Sequence, residues 1–313
     1  MHDGQSDSTV SRRRALGALA GGAAATAAAL HGIGCGARQG AAAAAPAEVE
    51  RADPAPETPA PDPFITVEAE GSHREIGRTI GTTLSEHIAA VLGSEPSFEP
   101  TLAAARGPQR DLVAAFLAAS RASLPAVVEE IEGMAEGLGI PFEDLFAWNC
   151  RSEIGAADRA CAPGCSTVGV RDDERMVLAH NEDGGESYLG RMFVLRARPA
   201  SGVAFAALVY PGTVAGNGPG LNARGIVQTT NYIAPCEVPE GIPRYLVGRS
   251  VLEAESLDAA VTAATREGRA FPWHHNLASL PEGRLLSLET WPGRHHLVEV
   301  EGALLHTNHL THP

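Results

Sequence analysis

The sequence has little positive charge for its size. Its 313 residues include 24 Lys and Arg against 38 Asp and Glu, so the formal net charge is -14 at pH 7. An acidic protein repels the phosphate backbone of nucleic acids and the anionic surface of a membrane. We therefore expect no nucleic-acid partner.

Motifs for nucleotide and metal chemistry are also absent from the sequence. The glycine-rich stretch from Gly212 to Gly220 lacks the lysine of a phosphate loop, and no GxGxxG segment opens a helix after a strand. No HExxH pair occurs, and a doublet such as His274 and His275 cannot place both rings on one face of a strand. We expect no cofactor and no metal, with a zinc hydrolase as a rival hypothesis.

Cysteine is scarce. The five cysteines are Cys35, Cys150, Cys161, Cys165 and Cys236. Five cysteines in so long a chain do not make a disulfide framework, even in an exported protein. For Cys165, a buried free thiol and a link to Cys161 are both structural alternatives to a chemical role.

Residues 1–62 differ in composition from the rest of the chain. Three arginines at positions 12–14 precede an Ala/Gly-rich apolar run at 15–30, which is typical of a twin-arginine signal peptide over residues 1–34. The run is too short and too weakly apolar for a spanning helix, which needs about 20 strongly apolar residues. The residues before Cys35 resemble a lipoprotein cleavage box, so a lipid anchor there is an alternative. Residues 35–62 form an Ala/Pro-rich tether. The signal peptide implies a periplasmic or other extracytoplasmic location.

The apolar period changes at Cys165. Val127, Ile131, Met134 and Leu138 share one helical face, and the segment before Cys165 reads as mainly helical. After Cys165, alternating apolar residues predict strands, and a further helical stretch from 244 to 268 has an N-cap at Ser256. This order predicts helices layered over antiparallel sheet.

A thiol at such a transition can become a chain terminus. If Cys165 attacks the carbonyl of Gly164, the peptide bond becomes a thioester, and hydrolysis frees an α-amine on Cys165 itself. Glycine presents its carbonyl without a side chain in the way. A free α-amine titrates near about 7.7 to 8.0 and a thiol near about 8.5, so the amine can take the thiol proton near neutral pH. A cysteine amidase of this kind needs no catalytic histidine.

Several short segments occur in an order that is typical of one family. They are residues 74–77 (REIG), 148–153 (WNCRSE), 164–168 (GCSTV), 179–184 (AHNEDG), 220–225 (GLNARG) and 305–309 (LHTNH). On these segments the chain resembles the acyl-CoA:6-aminopenicillanate acyltransferase family, also called isopenicillin-N acyltransferase-like proteins, within the N-terminal-nucleophile hydrolases.

The resemblance implies a fold for residues 63–313. That fold is an α+β four-layer αββα sandwich, with two antiparallel sheets between helical layers and Cys165 as the first residue of a central strand. Self-cleavage would give an α fragment ending at Gly164 and a β fragment beginning at Cys165. The family continues beyond the segment around Asn308, whereas this sequence stops at Pro313, so we expect a truncated C-terminal part or a partner chain that supplies the missing strands.

The resemblance also implies site residues. Cys165 matches the autocatalytic nucleophile, and Asn308 matches the asparagine that donates to the oxyanion, with an ordinary turn residue as the alternative. Asn181 and Asp183 match an Asn-x-Asp segment whose carboxylate holds the ammonium of the nucleophile. Thr167 would assist processing through its hydroxyl, the alternative being an ordinary strand threonine.

Arg151 and Glu153 match a second polar segment. Direct catalysis and a buried ion pair that supports the site are both open for these two residues.

The function predicted from these features is a cysteine amidohydrolase or acyltransferase without metal or cofactor. Its substrate would be a small molecule with an amide or thioester bond, such as an N-acylated amino acid, a small amide or a β-lactam side chain. An exported enzyme favours hydrolysis, because coenzyme A thioesters are cytoplasmic. The alternative function is that of a non-catalytic exported lipoprotein or an inactive family member with a binding role.

Overall fold

The computed structural model describes residues 64–156 and 164–312. The predicted signal peptide, the tether, Cys35 and Cys161 lie outside the described residues, so those predictions stay predictions.

Most helices precede Cys165. The described helices are α1 His73–Thr83, α2 Ser85–Ser94, α3 Phe98–Arg106, α4 Arg110–Ser123, α5 Pro125–Leu138, α6 Phe142–Asn149, α7 Arg151–Ile154, α8 Arg244–Val251 and α9 Leu257–Ala264, with a 3-10 turn at Glu186–Tyr188. The helical face predicted around Ile131 is confirmed as α5, which ends where Gly139 takes a left-handed backbone with φ of 70°.

Strands dominate after Cys165. They are β1 Ile65–Gly71, β2 Ser166–Arg171, β3 Met176–Asn181, β4 Phe193–Pro199, β5 Phe205–Val209, β6 Gly220–Asn222, β7 Ile226–Tyr232, β8 Trp273–Ser279, β9 Arg284–Trp291, β10 Arg294–Glu299 and β11 Gly302–His306. The helical stretch predicted over 244–268 is not one continuous helix, because it contains two separate helices, α8 and α9. The predicted cap is confirmed, since Ser256 Oγ accepts from the Ala259 backbone N–H and starts α9.

The strands form two sheets. The large sheet has the order β1-β4-β5-β6-β7-β8-β9-β10, and the small sheet has the order β11-β2-β3. All pairs are antiparallel except β1 with β4. Strand β2 is the middle strand of the small sheet and begins one residue after Cys165, close to the predicted position.

Helices α1 and α5 pack backbone to backbone beside the large sheet. A Cβ atom added at Gly77 would overlap the backbone oxygen of Glu130, and one added at Gly133 would overlap that of Arg74. Only glycine allows so close an approach. The resulting core contains residues at or near zero exposure from both helices, including Ile76, Ile80 and Ile131.

A buried ion-pair network ties three helices together. Arg249 of α8 contacts Glu130 of α5 at 2.8 Å and Glu253 at 2.7 Å, and His73 of α1 contacts Glu253 at 2.8 Å. Arg249 and Glu130 are both fully buried. Removing Arg249 would leave Glu130 as an uncompensated charge in the core, which typically destabilises a protein by about 3–5 kcal/mol.

The small sheet packs on the other face of the large sheet. At one end the contact is apolar and includes Leu285, Val300 and Leu304. At the end near Cys165 it is polar, and we call this region the polar inter-sheet cluster. Its members are Thr167, His180, Thr229, Asn231, His274, Asn276, Ser287, Glu289 and His306.

The mixed α and β architecture with two stacked sheets is confirmed. On the outer face of the small sheet, Val168, Val177 and Leu305 are 44%, 50% and 73% exposed. Within residues 64–156 and 164–312 the layers are therefore helices, large sheet and small sheet. The second helical layer of the predicted sandwich does not occur among these residues.

No single helix in the described ranges is long and apolar enough to cross a membrane. Helices α4 and α5 meet the length and composition criteria only as a pair bent by 119°, and that is weak evidence because α5 belongs to the buried core.

Candidate active site

The thiol of Cys165 is held in a buried position at the start of β2. Cys165 is 9% exposed and is a free cysteine. Its Sγ donates to Glu182 Oε1 at 3.3 Å and receives a hydrogen bond from the backbone N–H of Asp183. Burial first, and then the negative charge of Glu182, raise the pKa of Cys165 to about 12. Before any cleavage, the group is therefore a protonated thiol that needs a base in order to react.

Glu182 lies at the centre of a hydrogen-bonded chain. Its Oε1 also accepts from the Tyr210 hydroxyl at 2.5 Å, and its Oε2 is 3.1 Å from His180 Nε2. Burial, followed by the charge of Glu182, raises the pKa of Tyr210, so this hydroxyl stays protonated and donates. The chain continues from His180 Nδ1 to Thr167 Oγ1 at 2.8 Å. Thus a thiol, a carboxylate, an imidazole and a hydroxyl are connected in series.

Thr167 does not touch the thiol. Its hydroxyl donates to Asn231 Oδ1 at 2.9 Å, and Asn276 Nδ2 donates to Thr167 Oγ1 at 3.2 Å. These bonds place Thr167 in the polar inter-sheet cluster. It reaches Cys165 through His180 and Glu182, so the predicted assistance to processing would be indirect.

Asn308 lies against Gly164. A Cβ atom added at Gly164 would overlap the side-chain amide of Asn308, so a larger residue there would displace that amide. Asn308 Nδ2 donates to the backbone oxygen of Tyr232 at 2.8 Å, and an amide nitrogen carries a second hydrogen. The structure therefore brings the predicted oxyanion donor to the predicted scissile bond, although the two residues are far apart in the sequence.

The side chains of Asn181 and Asp183 are exposed and bonded to each other. Asn181 Nδ2 donates to Asp183 Oδ1 at 2.7 Å. Asp183 lines the cavity described below, and only its backbone N–H contacts the thiol. The carboxylate that touches Cys165 belongs to Glu182, which the sequence prediction missed.

The strand period could have identified Glu182. In β3, even-numbered residues such as Leu178 and His180 are half-buried and odd-numbered ones such as Val177 and Asn181 are exposed. Because side chains alternate along a strand, a continuation of this period turns Glu182 inward with His180, and Asp183 outward.

Arg151 and Glu153 do not form an ion pair with each other in the described part of the chain. The Arg151 guanidinium lies between the rings of Trp148 and Tyr245, at 4.4 and 4.5 Å from their centroids. Glu153 Oε1 accepts from the backbone N–H of Arg244 at 2.8 Å, at the first residue of α8. Burial raises the pKa of Glu153 to about 7. The two side chains therefore make no direct salt bridge, and Glu153 contacts the start of α8 instead.

A cavity of about 440 Å³ opens at the thiol and has walls of three chemical types. The acidic members are Glu95, Glu182 and Asp183, the basic members are Arg151 and Arg244, and the aromatic members are Tyr188, Tyr210, Tyr232, Tyr245 and Trp273. Gly164 and Cys165 line the same cavity. A small amide can therefore reach the sulfur and meet polar groups of both signs.

Cys165, His180 and Glu182 could also hold a metal ion, because one ligand atom from each lies within 4.8 Å of the others. Thiolate, imidazole and carboxylate are ligands that zinc accepts. The sequence prediction of no metal did not anticipate this group, since its members come from the ends of two adjacent strands.

The part of the chain after Cys165 matches a known protein family. Residues 170–313 match the family described as acyl-coenzyme A:6-aminopenicillanic acid acyl-transferase. The chain is also 27% identical over 209 residues to a Drosophila melanogaster protein named beta-alanyl-dopamine/carcinine hydrolase. That alignment covers 61% of this chain and 54% of the relative, so the chain spans about half the length of the curated relative it matches.

Proposed function

We propose that the chain belongs to the acyl-coenzyme A:6-aminopenicillanic acid acyl-transferase family, whose model its residues 170–313 match, and that it cleaves its own Gly164–Cys165 bond and then hydrolyses small amides through Cys165. The family and the hydrolase relative support a function of the acyltransferase or amidohydrolase type. The observation that carries the finer proposal is the buried thiol of Cys165, which lies 3.3 Å from Glu182 and directly follows Gly164, against which the side chain of Asn308 packs.

In the self-cleavage step, Glu182 acts as the base. Cys165 Sγ transfers its proton to Glu182 Oε1 and forms a bond to the carbonyl carbon of Gly164. The carbonyl oxygen becomes an oxyanion, which the free hydrogen of Asn308 Nδ2 stabilises. The C–N bond then breaks, the proton passes to the leaving nitrogen, and a thioester joins Gly164 to the sulfur. Water hydrolyses this thioester, giving a Gly164 carboxylate, a free thiol and a new α-amine on Cys165.

In substrate turnover, the new amine replaces Glu182 as the group that activates the thiol. Its ordinary pKa of about 7.7 to 8.0 suits proton transfer near neutral pH. The sulfur attacks the substrate carbonyl in the cavity, the amine part of the substrate leaves with a proton, and water releases the acyl group from the sulfur. Asp183 lines the cavity and accepts a hydrogen bond from Asn181, and its carboxylate can hold the ammonium form of the amine.

The relative supports hydrolysis over acyl transfer, because its name describes a hydrolase of amides. Export by the twin-arginine route, if it occurs, would point the same way, since water is the acceptor available outside the cytoplasm. No metal or organic cofactor takes part in this mechanism.

Labelling of amino groups tests self-cleavage directly, because the sequence contains no lysine. The amino groups expected in a processed chain are its original N-terminus and the α-amine of Cys165. We expect an amine-reactive label to mark two fragments, and Edman sequencing of the C-terminal one to begin Cys165-Ser166-Thr167. Cys165→Ala should give one uncleaved chain with one labelled terminus.

A wild-type chain that folds but stays uncleaved would contradict the proposal and favour the binding or inactive alternative. Zinc analysis of the same preparation distinguishes the metal alternative, because stoichiometric zinc lost in Cys165→Ala would indicate that Cys165, His180 and Glu182 hold a metal. A panel of small amides, with release of the amine product as the signal, then tests turnover.

A further inference from the structure

Two arginines in the cavity wall are buried without a carboxylate in direct contact with their guanidinium groups. Arg151 and Arg244 are 6% and 7% exposed, and within the described ranges neither forms an ion pair. Arg151 donates to the backbone oxygen of Trp148 at 3.2 Å, while Nε and Nη1 of Arg244 have no hydrogen-bond partner there. A guanidinium keeps its charge under all ordinary conditions, so this arrangement leaves a strong anion-binding potential unused.

Aromatic rings hold both guanidinium groups in place. Tyr245 is shared, with its ring 4.5 Å from the Arg151 guanidinium carbon and 5.0 Å from that of Arg244. Arg244 also lies 5.0 Å from the Trp273 ring and 5.1 Å from the Tyr232 ring. Cation–π contacts stabilise the positive charge in part, but they do not replace the hydrogen-bond acceptors that the guanidinium has lost.

Arg249, on the same helix α8, shows how this fold compensates an arginine that only supports structure. Arg249 is fully buried and has two carboxylate partners, Glu130 and Glu253. Arg244 is the first residue of the same helix, is almost as buried as Arg249, and lines the cavity instead. The difference indicates that the partner of Arg244 is something the cavity receives.

The neighbouring carboxylates do not make direct contact with the two guanidinium groups. Glu153 Oε1 accepts from the backbone N–H of Arg244, and Glu95 accepts from the hydroxyls of Ser97 and Ser187. Glu182 accepts from Cys165 and Tyr210 and lies beside His180, and Asp183 accepts from Asn181. Nε and Nη1 of Arg244 therefore remain without an acceptor among the described residues.

We infer that the amide substrate carries a carboxylate, which Arg151 and Arg244 bind while its amide carbonyl lies at Cys165. This inference rests on the proposed function and names the substrate class: a monoamide of a dicarboxylic acid, or an N-acyl amino acid. Both present a carboxylate and an amide in one small molecule, and the planar donors of arginine match a carboxylate in a bidentate manner.

Two pairs of probe compounds test the inference and separate the two sources of carboxylate. N-glutaryl-p-nitroanilide is compared with its terminal carboxamide, and N-butyrylglycine with N-butyrylglycinamide. We expect kcat/KM to favour the acid over the amide by about 10- to 100-fold in one pair, because a hydrogen bond to a charged group typically contributes about 1.5–3 kcal/mol. The pair that shows the preference identifies the acyl or the amine part as the carrier of the carboxylate.

Variants assign the preference to the two arginines. In Arg244→Gln and Arg151→Gln the ratio between acid and amide should fall toward one, mainly through a higher KM for the acid. Arg175→Gln is the matched control, because that side chain is 71% exposed and paired with Asp172. Its ratio should equal that of the wild type.

A binding measurement keeps the test independent of catalysis. Glutarate should raise the melting temperature of the wild-type protein, while glutaramide should not, and Arg244→Gln should lose the glutarate effect. Equal hydrolysis of acid and amide, or an undiminished preference in both arginine variants, would overturn the inference while self-cleavage still supports the proposed function. An uncleaved chain that nevertheless binds glutarate through Arg244 would overturn the proposed function and leave the anion site standing.

Discussion

The two faces of the large sheet differ in chemistry, although the same strands build both. In β8, Trp273 and Leu277 face the helices and belong to the apolar core, while His274 and Asn276 face the small sheet. On the helix side, close packing and one compensated ion-pair network hold the layers together. On the other side, near Cys165, hydrogen bonds do so.

The difference shows that apolar packing lies on the helix-facing side of the large sheet and that buried polar groups lie on the side that faces the small sheet. Asn276 Nδ2 lies 3.0 Å from both Thr229 Oγ1 and Asn231 Oδ1, and the rings of His274 and His306 stack with centroids 3.4 Å apart. Burial lowers the pKa of both histidines. A buried polar network contributes little when it is complete and destabilises strongly when it is broken, so its presence beside the thiol is more readily explained by chemistry than by stability.

The largest effect is expected on the polar side, from Glu182→Gln. An amide cannot take the thiol proton, so self-cleavage should slow by about 10²- to 10⁴-fold, as is typical for loss of a general base. Quantifying the fragment that begins at Cys165 over time measures this rate. Asp183→Asn is the matched control and should cleave within a few-fold of the wild type. The reverse order of the two variants would show that Asp183, as the sequence suggested, is the essential carboxylate.

A somewhat smaller effect is expected on the apolar side, from Ile131→Ala. Ile131 has zero exposure between α1 and α5, and truncation of such a side chain typically lowers the free energy of unfolding by about 2–5 kcal/mol. Urea unfolding measures the change. Val177→Ala, at a position 50% exposed, should change it by no more than about 0.5 kcal/mol. If folded Ile131→Ala cleaves itself at the wild-type rate, the helix-facing side supports stability and not the chemistry. A rate as slow as that of Glu182→Gln would contradict this division of roles.

The smallest effect is expected from Glu153→Gln, at the boundary between helices and cavity, and it depends on pH. Burial raises the pKa of Glu153 from 4.5 to about 7, so its protonated form is favoured in the folded state. The stability linked to that proton is complete below pH 4.5 and is lost as the pH rises through 7.

The wild type should therefore lose about 1–3 kcal/mol of unfolding free energy relative to Glu153→Gln between pH 4.5 and pH 8. Urea unfolding of both proteins across that range gives the difference, in which the titration of the other groups cancels. A difference independent of pH would mean that the pKa of Glu153 is the same in the folded and unfolded states.

Local sequence patterns predicted several residues of the site but missed Glu182, the carboxylate that contacts the thiol. Cys165, Gly164 and Asn308 were recognised from short segments, and the structure places them together. Asn181 and Asp183 came from the same reasoning, but their side chains point outward and the thiol meets Glu182. The difference has a physical cause: matching a motif by residue type does not take account of the alternation of side chains along β3.

The sequence by itself determined the acidic surface, the helical character before Cys165, the strands after it and the order of segments shared with a family, because each depends on composition or on a short period. The tertiary structure alone decided which carboxylate contacts the thiol, which amide lies against Gly164 and which guanidinium nitrogens of Arg244 lack an acceptor among the described residues. Those contacts depend on sheet register and on the packing of helix against strand, which join residues that no local pattern connects.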